Sequence, residues 1–197
     1  MQTPLAVFQA KIDILIQRDD VNEEQAVLLG SLNDNIFRLN RLNKNLLLLS
    51  KIEHNNYSSR ESILLTDYIQ KNIAFFTEQA NAKSISIKME SHQDFQIKSN
   101  PVLTEILVNN LFLNAVKHNI KNGQITITLN SNKLVFTNSG QIQPLNTNKL
   151  FNRFSKANPS EQGTGLGLSI IKKICEVNNW TVIYNYENKL HSFSILF

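Results

Sequence analysis

The chain has 197 residues, 42% of them hydrophobic, and a formal net charge of +4. That length supports one sizeable core with enough left for a small second module, so one or two domains are expected. Its Lys and Arg are scattered without a block of about five or six, which sets aside a nucleic-acid footprint but leaves a polyanionic small ligand open, and its one cysteine, Cys175, excludes an internal disulfide.

The opening stretch MQTPLAVFQAKIDILIQ carries Leu5, Phe8, Ile12 and Leu15 at steps of three and four, the pattern of a helix burying one stripe. Thr3-Pro4 admits two readings. Thr3 caps the helix with Pro4 at its first position, or both lie inside a helix whose first turn is missing. DDVNEEQ then supplies capping side chains and first-turn acids, and a second helix is predicted from near Asn22. In it Leu28, Leu32, Asn35, Leu39, Leu42, Leu46 and Leu49 form a heptad seam running to about Ile52. Residues 1–54 thus read as a helical hairpin. Its seam either finds a partner hairpin, giving a four-helix dimer, or packs on the first helix alone. HNNYSSR, residues 54–60, reads as a connection, with 55–60 the linker proper.

From residue 61 to 197 the pattern is that of short strands and amphipathic helices. Ser62–Leu65 reads as a strand, and Thr66 or Asp67 as the cap of a helix reaching about Ala82. Residues 84–90 and 95–99 alternate as strands, and Asn100-Pro101 opens a helix to about His118. GQITITLN and KLVFTN form a hairpin. Ser139 to about Thr164 shows no regular pattern and is long enough to predict a functional lid. A helix over Leu166–Val177 and strands near 181–186 and 191–197 complete an α+β domain with helices on one face of a mixed sheet. No apolar run of about eighteen residues and no signal-peptide layout is present, so the piece reads as soluble, and Cys175, beside Ile171 and Ile174, as a small buried hydrophobe in a reducing compartment.

Three constellations carry chemistry. In NNLFLNAVKHN, residues 109–119, Asn110, Asn114 and Lys117 share one helical face, a set that suits a hydrated Mg²⁺ with attached phosphates or, more plainly, a solvated polar stripe. In QGTGLGLSIIKKI, Gly163, Gly165 and Gly167 sit on the lip of a helix, where backbone N–H groups can approach an anion. It is neither the dinucleotide fingerprint nor a P-loop. VFTNSG, residues 135–140, runs a strand into Asn138 and a glycine, and Asn138 alone would be read as a turn residue.

These three motifs, with LFNRF (150–154) between the second and third in chain order, resemble the ATP-binding domain of sensor histidine kinases, the Bergerat fold shared with Hsp90-type chaperones, gyrase and mismatch-repair ATPases. NNLFLNAVKHN is similar to the family's N box, NSG to its first glycine box, LFNRF to its F box and GTGLGL to its second glycine box. The resemblance implies ATP and Mg²⁺ as cofactors, with Asn114 as metal ligand. Asn110, Lys117 and His118 would help to hold metal and nucleotide, Asn138 and Gly140 would lie at the adenine, and Gly163, Thr164, Gly165, Leu166 and Gly167 would line the triphosphate. Residues 139–164 would be the ATP lid. The family's ATPases carry a glutamate where Asn110 stands, and an amide cannot act as base at neutral pH, which favours phosphoryl transfer over hydrolysis. Two positions depart from the pattern: Asn138 replaces an adenine-binding Asp, for an expected loss of about 1 kcal/mol, and Ile142 replaces a second glycine.

The same resemblance explains the opening. MQTPL matches the end of the family's His-Glu-x-x-Thr-Pro-Leu box, which implies that Pro4 lies inside the helix, that Thr3 orients water for dephosphorylating a partner, and that the phospho-accepting histidine falls just before Met1. His54, His92, His118 and His191 offer no substitute, so the chain is expected to bind ATP without autophosphorylating. A response-regulator receiver domain as phosphoryl acceptor, a homodimer through the hairpin, regulation by movement about the linker, and a cytoplasmic location with an upstream inner-membrane anchor are further implications. The competing expectations are a degenerate docking module and a chaperone-type ATPase.

Overall fold

The computed structural model describes residues 2–18, 20–54, 56–91, 95–130, 132–156 and 163–197. The hairpin forms from α1 (Gln2–Ile16) and α2 (Glu23–Glu53). Its second helix starts where the local chemistry demands: Asn22 Oδ1 accepts from the Gln25 backbone N–H at 2.9 Å, while Gln25 Oε1 accepts from the Asn22 N–H at 3.1 Å. This reciprocal capping box is worth about 1 kcal/mol. Between the helices, Ile12 and Ile36 are buried and Gln9 Nε2 donates to Asn33 Oδ1 at 2.6 Å. The leucine seam is not the face that meets α1. Leu28, Leu32 and Leu39 are half exposed, whereas Leu42, Leu46 and Leu49 pack on the core of the following domain.

That domain comprises β1 (Glu61–Leu64), α3 (Leu65–Asn81), β2 (Ser86–Ser91), β3 (Gln96–Ser99), α4 (Pro101–Lys117), β4 (Gln124–Asn130), β5 (Lys133–Ser139), α5 (Thr147–Leu150), α6 (Gly167–Asn178), β6 (Thr181–Glu187) and β7 (Leu190–Leu196). β1 pairs antiparallel with β3, and five strands form a mixed sheet in the order β2-β4-β5-β7-β6. Among the described pairs of this sheet only β2 and β4 run parallel, and the long connection a parallel pair needs is made through β3 and α4. Ile125, Ile127 and Leu129 of β4, with Leu134 and Phe136 of β5 and Phe193 and Ile195 of β7, are buried on one face beneath α3, α4 and α6. Alternate residues carry Thr137 and Ser192, hydrogen-bonded at 3.0 Å, on the other. The α+β expectation of a hairpin followed by a Bergerat-type layer of helices on one sheet face therefore holds.

Two local expectations are corrected. Neither Thr66 nor Asp67 caps α3: its N-cap is Leu64, without a side-chain hydrogen bond, because Thr66 is drawn into the core, its Oγ1 without a partner among the described residues. The stretch 139–164 is not wholly irregular, since Asn146 Oδ1 accepts from the Asn148 N–H at 3.1 Å and starts the four-residue α5.

The core is anchored by Phe112 of α4, whose ring lies parallel to Phe76 of α3 with centroids 5.4 Å apart and edge-on to Phe136 of β5 at 4.9 Å. Phe112→Ala opens a cavity where three elements meet, and it is expected to cost about 3–5 kcal/mol. A fall in the urea midpoint at unchanged slope would report it.

Candidate functional site

Asn110, Asn114 and Lys117 project from α4 toward the start of α6. Asn110 Nδ2 donates to the Ile106 carbonyl at 2.8 Å, which fixes the amide and leaves Oδ1 toward Gly167. A Cβ at Gly167 would come within 3.2 Å of Asn110 Oδ1 and 3.7 Å of Asn114 Oδ1. Glycine there keeps open the space between the amide pair and the helix. Asn114 Nδ2 is buried with no hydrogen-bond partner among the described residues, so among them this polar group is desolvated without compensation. Opposite it, α6 begins at Gly167 after Leu166, which supplies no side-chain cap. The first-turn N–H groups are therefore available to an anion.

The other glycines make room for other neighbours. At Gly163, φ is +143°, and a Cβ would lie 2.5 Å from Lys117 Nζ and 3.8 Å from Arg41 Nη2. At Gly165, φ is +68°, and a Cβ would lie 2.8 and 2.9 Å from the backbone C and Cα of Phe154. LFNRF thus abuts GTGLGL backbone to backbone. Thr164, buried between these glycines, accepts a hydrogen bond at Oγ1 from Asn45 Nδ2 of α2 at 3.3 Å, and Leu166 is fully buried.

At the far end of the site Asn138 is 3% exposed near the close of β5, its Nδ2 donating to the Ser139 carbonyl at 2.7 Å. Oδ1 is then the atom of that amide left to accept from a ligand. Gly140 lies between His191 and the end of α4: its Cβ would come within 2.7 Å of His191 Cδ2 and 3.2 Å of the carbonyl of His118, the C-cap of α4. His191 is buried in a fully assigned relay. Leu145 N–H donates to Tyr184 Oη at 3.0 Å, Tyr184 O–H donates to His191 Nδ1 at 2.8 Å, and His191 Nε2–H donates to the Gln141 carbonyl at 2.8 Å. Burial pushes the Tyr184 phenol up, which keeps on it the proton this relay uses. The segment that carries exposed Ile142 is thereby tied at both ends to β6 and β7.

The structure brings together Asn110, Asn114, Lys117, Gly163 and Gly167, and it places Gly140 against the His118 carbonyl at the end of α4, while Asn138 lies in β5 opposite Ile125 and His191. His191 is held between Tyr184 and the Gln141 carbonyl, and His54 closes α2 with Nδ1 2.7 Å from the Ser50 carbonyl. The side chain of Thr3, His92 and lid residues 157–162 lie outside the described residues. Cys175 is buried and its thiol pushed up to about 12 by desolvation and the nearby Glu176, so it is an unreactive packing residue. Sequence reasoning missed Arg41, Asn45 and the Tyr184–His191 relay. Arg41, Asn45, Leu49 and Ile52 do share one helical face, and that spacing was the available signal; only the structure shows that the last two are buried.

Among the described residues no group of three or more His, Cys, Asp or Glu could hold a metal ion. A cation here would depend on an amide oxygen and on ligands arriving with an anion, the manner in which Mg²⁺ accompanies phosphates. The donor set fits Mg-nucleotide: an amide pair, a lysine, an uncapped helix N-terminus and a buried acceptor at the remote end.

An amide face on one helix is set against the N-terminus of another on the same side of a mixed sheet, the arrangement of a Bergerat-type fold. Residues 99–194 match the family described as histidine kinase-, DNA gyrase B-, and HSP90-like ATPase, and the chain as a whole is similar to sensor histidine kinases. It is 29% identical over 205 residues to the heme sensor protein HssS of Staphylococcus saprophyticus and 27% identical over 203 residues to the sensor histidine kinase HprS of Escherichia coli K12. These alignments cover 100% and 99% of this chain but 44% of each relative, so the chain spans less than half their length. The solved structure of the Acinetobacter baumannii histidine kinase AdeS superposes with a TM-score of 0.69 over 98% of this chain and 94% of that one at 18% identity, a likeness of fold that includes the hairpin. No helix among the described residues is long and apolar enough to cross a membrane.

Proposed function

We propose that this chain is the hairpin and ATP-binding part of a sensor histidine kinase, acting in phosphoryl transfer from Mg-ATP to a histidine outside this sequence and onward to an aspartate of a response-regulator receiver domain. The observation that carries the reading is the meeting of Asn110 and Asn114 with Gly167, which aims two amides and a helix N-terminus at one space. When bound, ATP supplies the transferable phosphoryl and Mg²⁺ the neutralising charge. Asn114 would hold the metal through Oδ1, while Lys117 and the α6 N–H groups would hold phosphate oxygens. Asn138 Oδ1 would accept from the adenine amine. Asn110 in place of a carboxylate base leaves water unactivated, so the protein contributes positioning and charge neutralisation, which is most of what phosphoryl transfer requires.

Residues 1–54 serve in this reading as the dimerisation and phosphotransfer module, 55–60 as linker and 61–197 as catalytic domain, with 139–164 closing as lid. The half-exposed Leu28, Leu32 and Leu39, with Val7 and Phe8 of α1, offer the apolar stripe on which a second copy would pack into a four-helix bundle. Anchoring of the full-length protein in a membrane belongs to the same proposal.

The test supplies γ-labelled ATP, Mg²⁺ and a separate histidine-bearing hairpin of the family. Label is expected on the supplied histidine, with none on this chain and little released phosphate. Steady phosphate release that disappears in Asn114→Ala would establish an ATPase instead. Absence of binding up to millimolar analogue would leave a docking module, the reading that Asn138 in place of Asp favours.

A further inference from the structure

The hairpin and the α+β domain are not merely joined by a linker; α2 lies along that domain in a defined register. Steps of four, four and three place Arg41, Asn45, Leu49 and Ile52 on one face of α2. Leu49 and Ile52 are 2% exposed, in the same core as α4 and α6. Asn45 reaches Thr164, and Glu53 forms an ion pair with Arg153 of the LFNRF segment. One turn before Asn45, this register delivers Arg41 to Gly163, where Nη2 and Lys117 Nζ converge on the space that a side chain at residue 163 would fill. Cationic groups from two different elements are thereby brought to one point beside the glycine segment.

We propose that Arg41, a residue of the hairpin and outside the segment that matches the ATPase family, is a phosphate ligand of the nucleotide site, so that nucleotide binding and docking of α2 on the catalytic domain reinforce each other. The inference rests on the ATP reading above. A guanidinium presents paired N–H donors to phosphate oxygens, a geometry that lysine cannot reproduce, and Lys117 already supplies the point charge. Because Arg41 stands on one module and Lys117 on the other, a phosphate held by both closes the gap between them. Reciprocity follows: by whatever factor docking of α2 raises nucleotide affinity, nucleotide raises docking. The site then differs with the position of the hairpin without any change in its own residues.

The test is calorimetric titration of the full chain with a non-hydrolysable ATP analogue and Mg²⁺, for the unaltered chain, Arg41→Ala and Arg41→Lys, joined to hydrogen exchange of α2 with and without analogue. Arg41→Ala is expected to weaken binding about tenfold, the size of one lost charge-assisted hydrogen bond, with Arg41→Lys intermediate. Analogue should slow exchange of backbone amides around residues 38–46 in the unaltered chain and leave them unchanged in Arg41→Ala, a difference that a purely structural role for this exposed side chain would not produce. Equal affinity of Arg41→Ala and the unaltered chain, or equal protection of α2 in both, overturns the assignment while the nucleotide site stands. Failure of the unaltered chain to bind analogue overturns both.

Discussion

Asn114→Ala is expected to weaken magnesium-dependent nucleotide binding and at the same time to make the protein more stable. Both effects come from one atom group. Asn114 is the only member of the amide pair whose nitrogen is buried without a partner among the described residues, whereas Asn110 is held by the Ile106 carbonyl. A buried, unpaired amide is a desolvation cost, and truncating it also places a better helix former in α4, so the folded state should gain about 1 kcal/mol. That gain corresponds to roughly 2–4 °C in Tm for a chain of this size. In the proposed role of Asn114 as metal ligand, its loss should weaken binding at least as much as losing a supporting group does, about tenfold or more. Titration with the analogue, with and without Mg²⁺, beside a thermal melt of the same sample checks both. Reduced affinity with reduced stability would mean that Asn114 is a packing residue and that its orphaned nitrogen has no functional meaning.

Gly165→Ala should be the most damaging substitution in the glycine-rich segment. An L residue at φ +68° costs about 1–2 kcal/mol by itself. The added Cβ would also sit 2.8 Å from Phe154 C and 2.9 Å from Phe154 Cα and the Ser155 carbonyl oxygen, backbone atoms that cannot rotate aside. The joint between LFNRF and GTGLGL must open, for a total of about 2–4 kcal/mol and loss of the α6 N-terminus from its place opposite Asn114. A lowered urea midpoint together with at least a tenfold loss of analogue affinity is the expected result. Gly30, mid-helix in α2, where an added Cβ would meet no atom within 4 Å, is the control: alanine there should stabilise by about 0.5–1 kcal/mol and leave binding alone. Wild-type affinity in Gly165→Ala would show that the segment tolerates displacement and that its conformation does not position the site.

The glycines of this segment show how far one-dimensional reasoning reaches. Their presence beside a helix start was legible, and so was an anion cradle as their purpose. Their individual necessity was not, because Gly163 faces Lys117 and Arg41, Gly165 faces Phe154, and Gly167 faces Asn110 and Asn114. Most of these neighbours are far away in sequence.

Elements governed by short-range chemistry were determined by the sequence itself. The capping box at Asn22, Asn100-Pro101 at the head of α4 with Asn100 Oδ1 accepting from the Val102 and Leu103 N–H groups, the β4–β5 hairpin and the shared face of Asn110, Asn114 and Lys117 all rest on bonds and periodicities spanning a few residues. Tertiary structure alone decided which of the available faces was buried. The leucine seam of α2 is one continuous pattern, yet its first half stays open and its second half packs on the α+β domain. Thr66 had the chemistry of a cap and went to the core. Arg41 and Asn45 came to the glycine segment, with Asn45 meeting a residue 119 positions away, through the burial of Leu49 and Ile52 one and two turns on. Hydrogen-bonding and helical spacing are written locally, but burial is a property of the whole chain, and the hairpin's place in the site follows from burial.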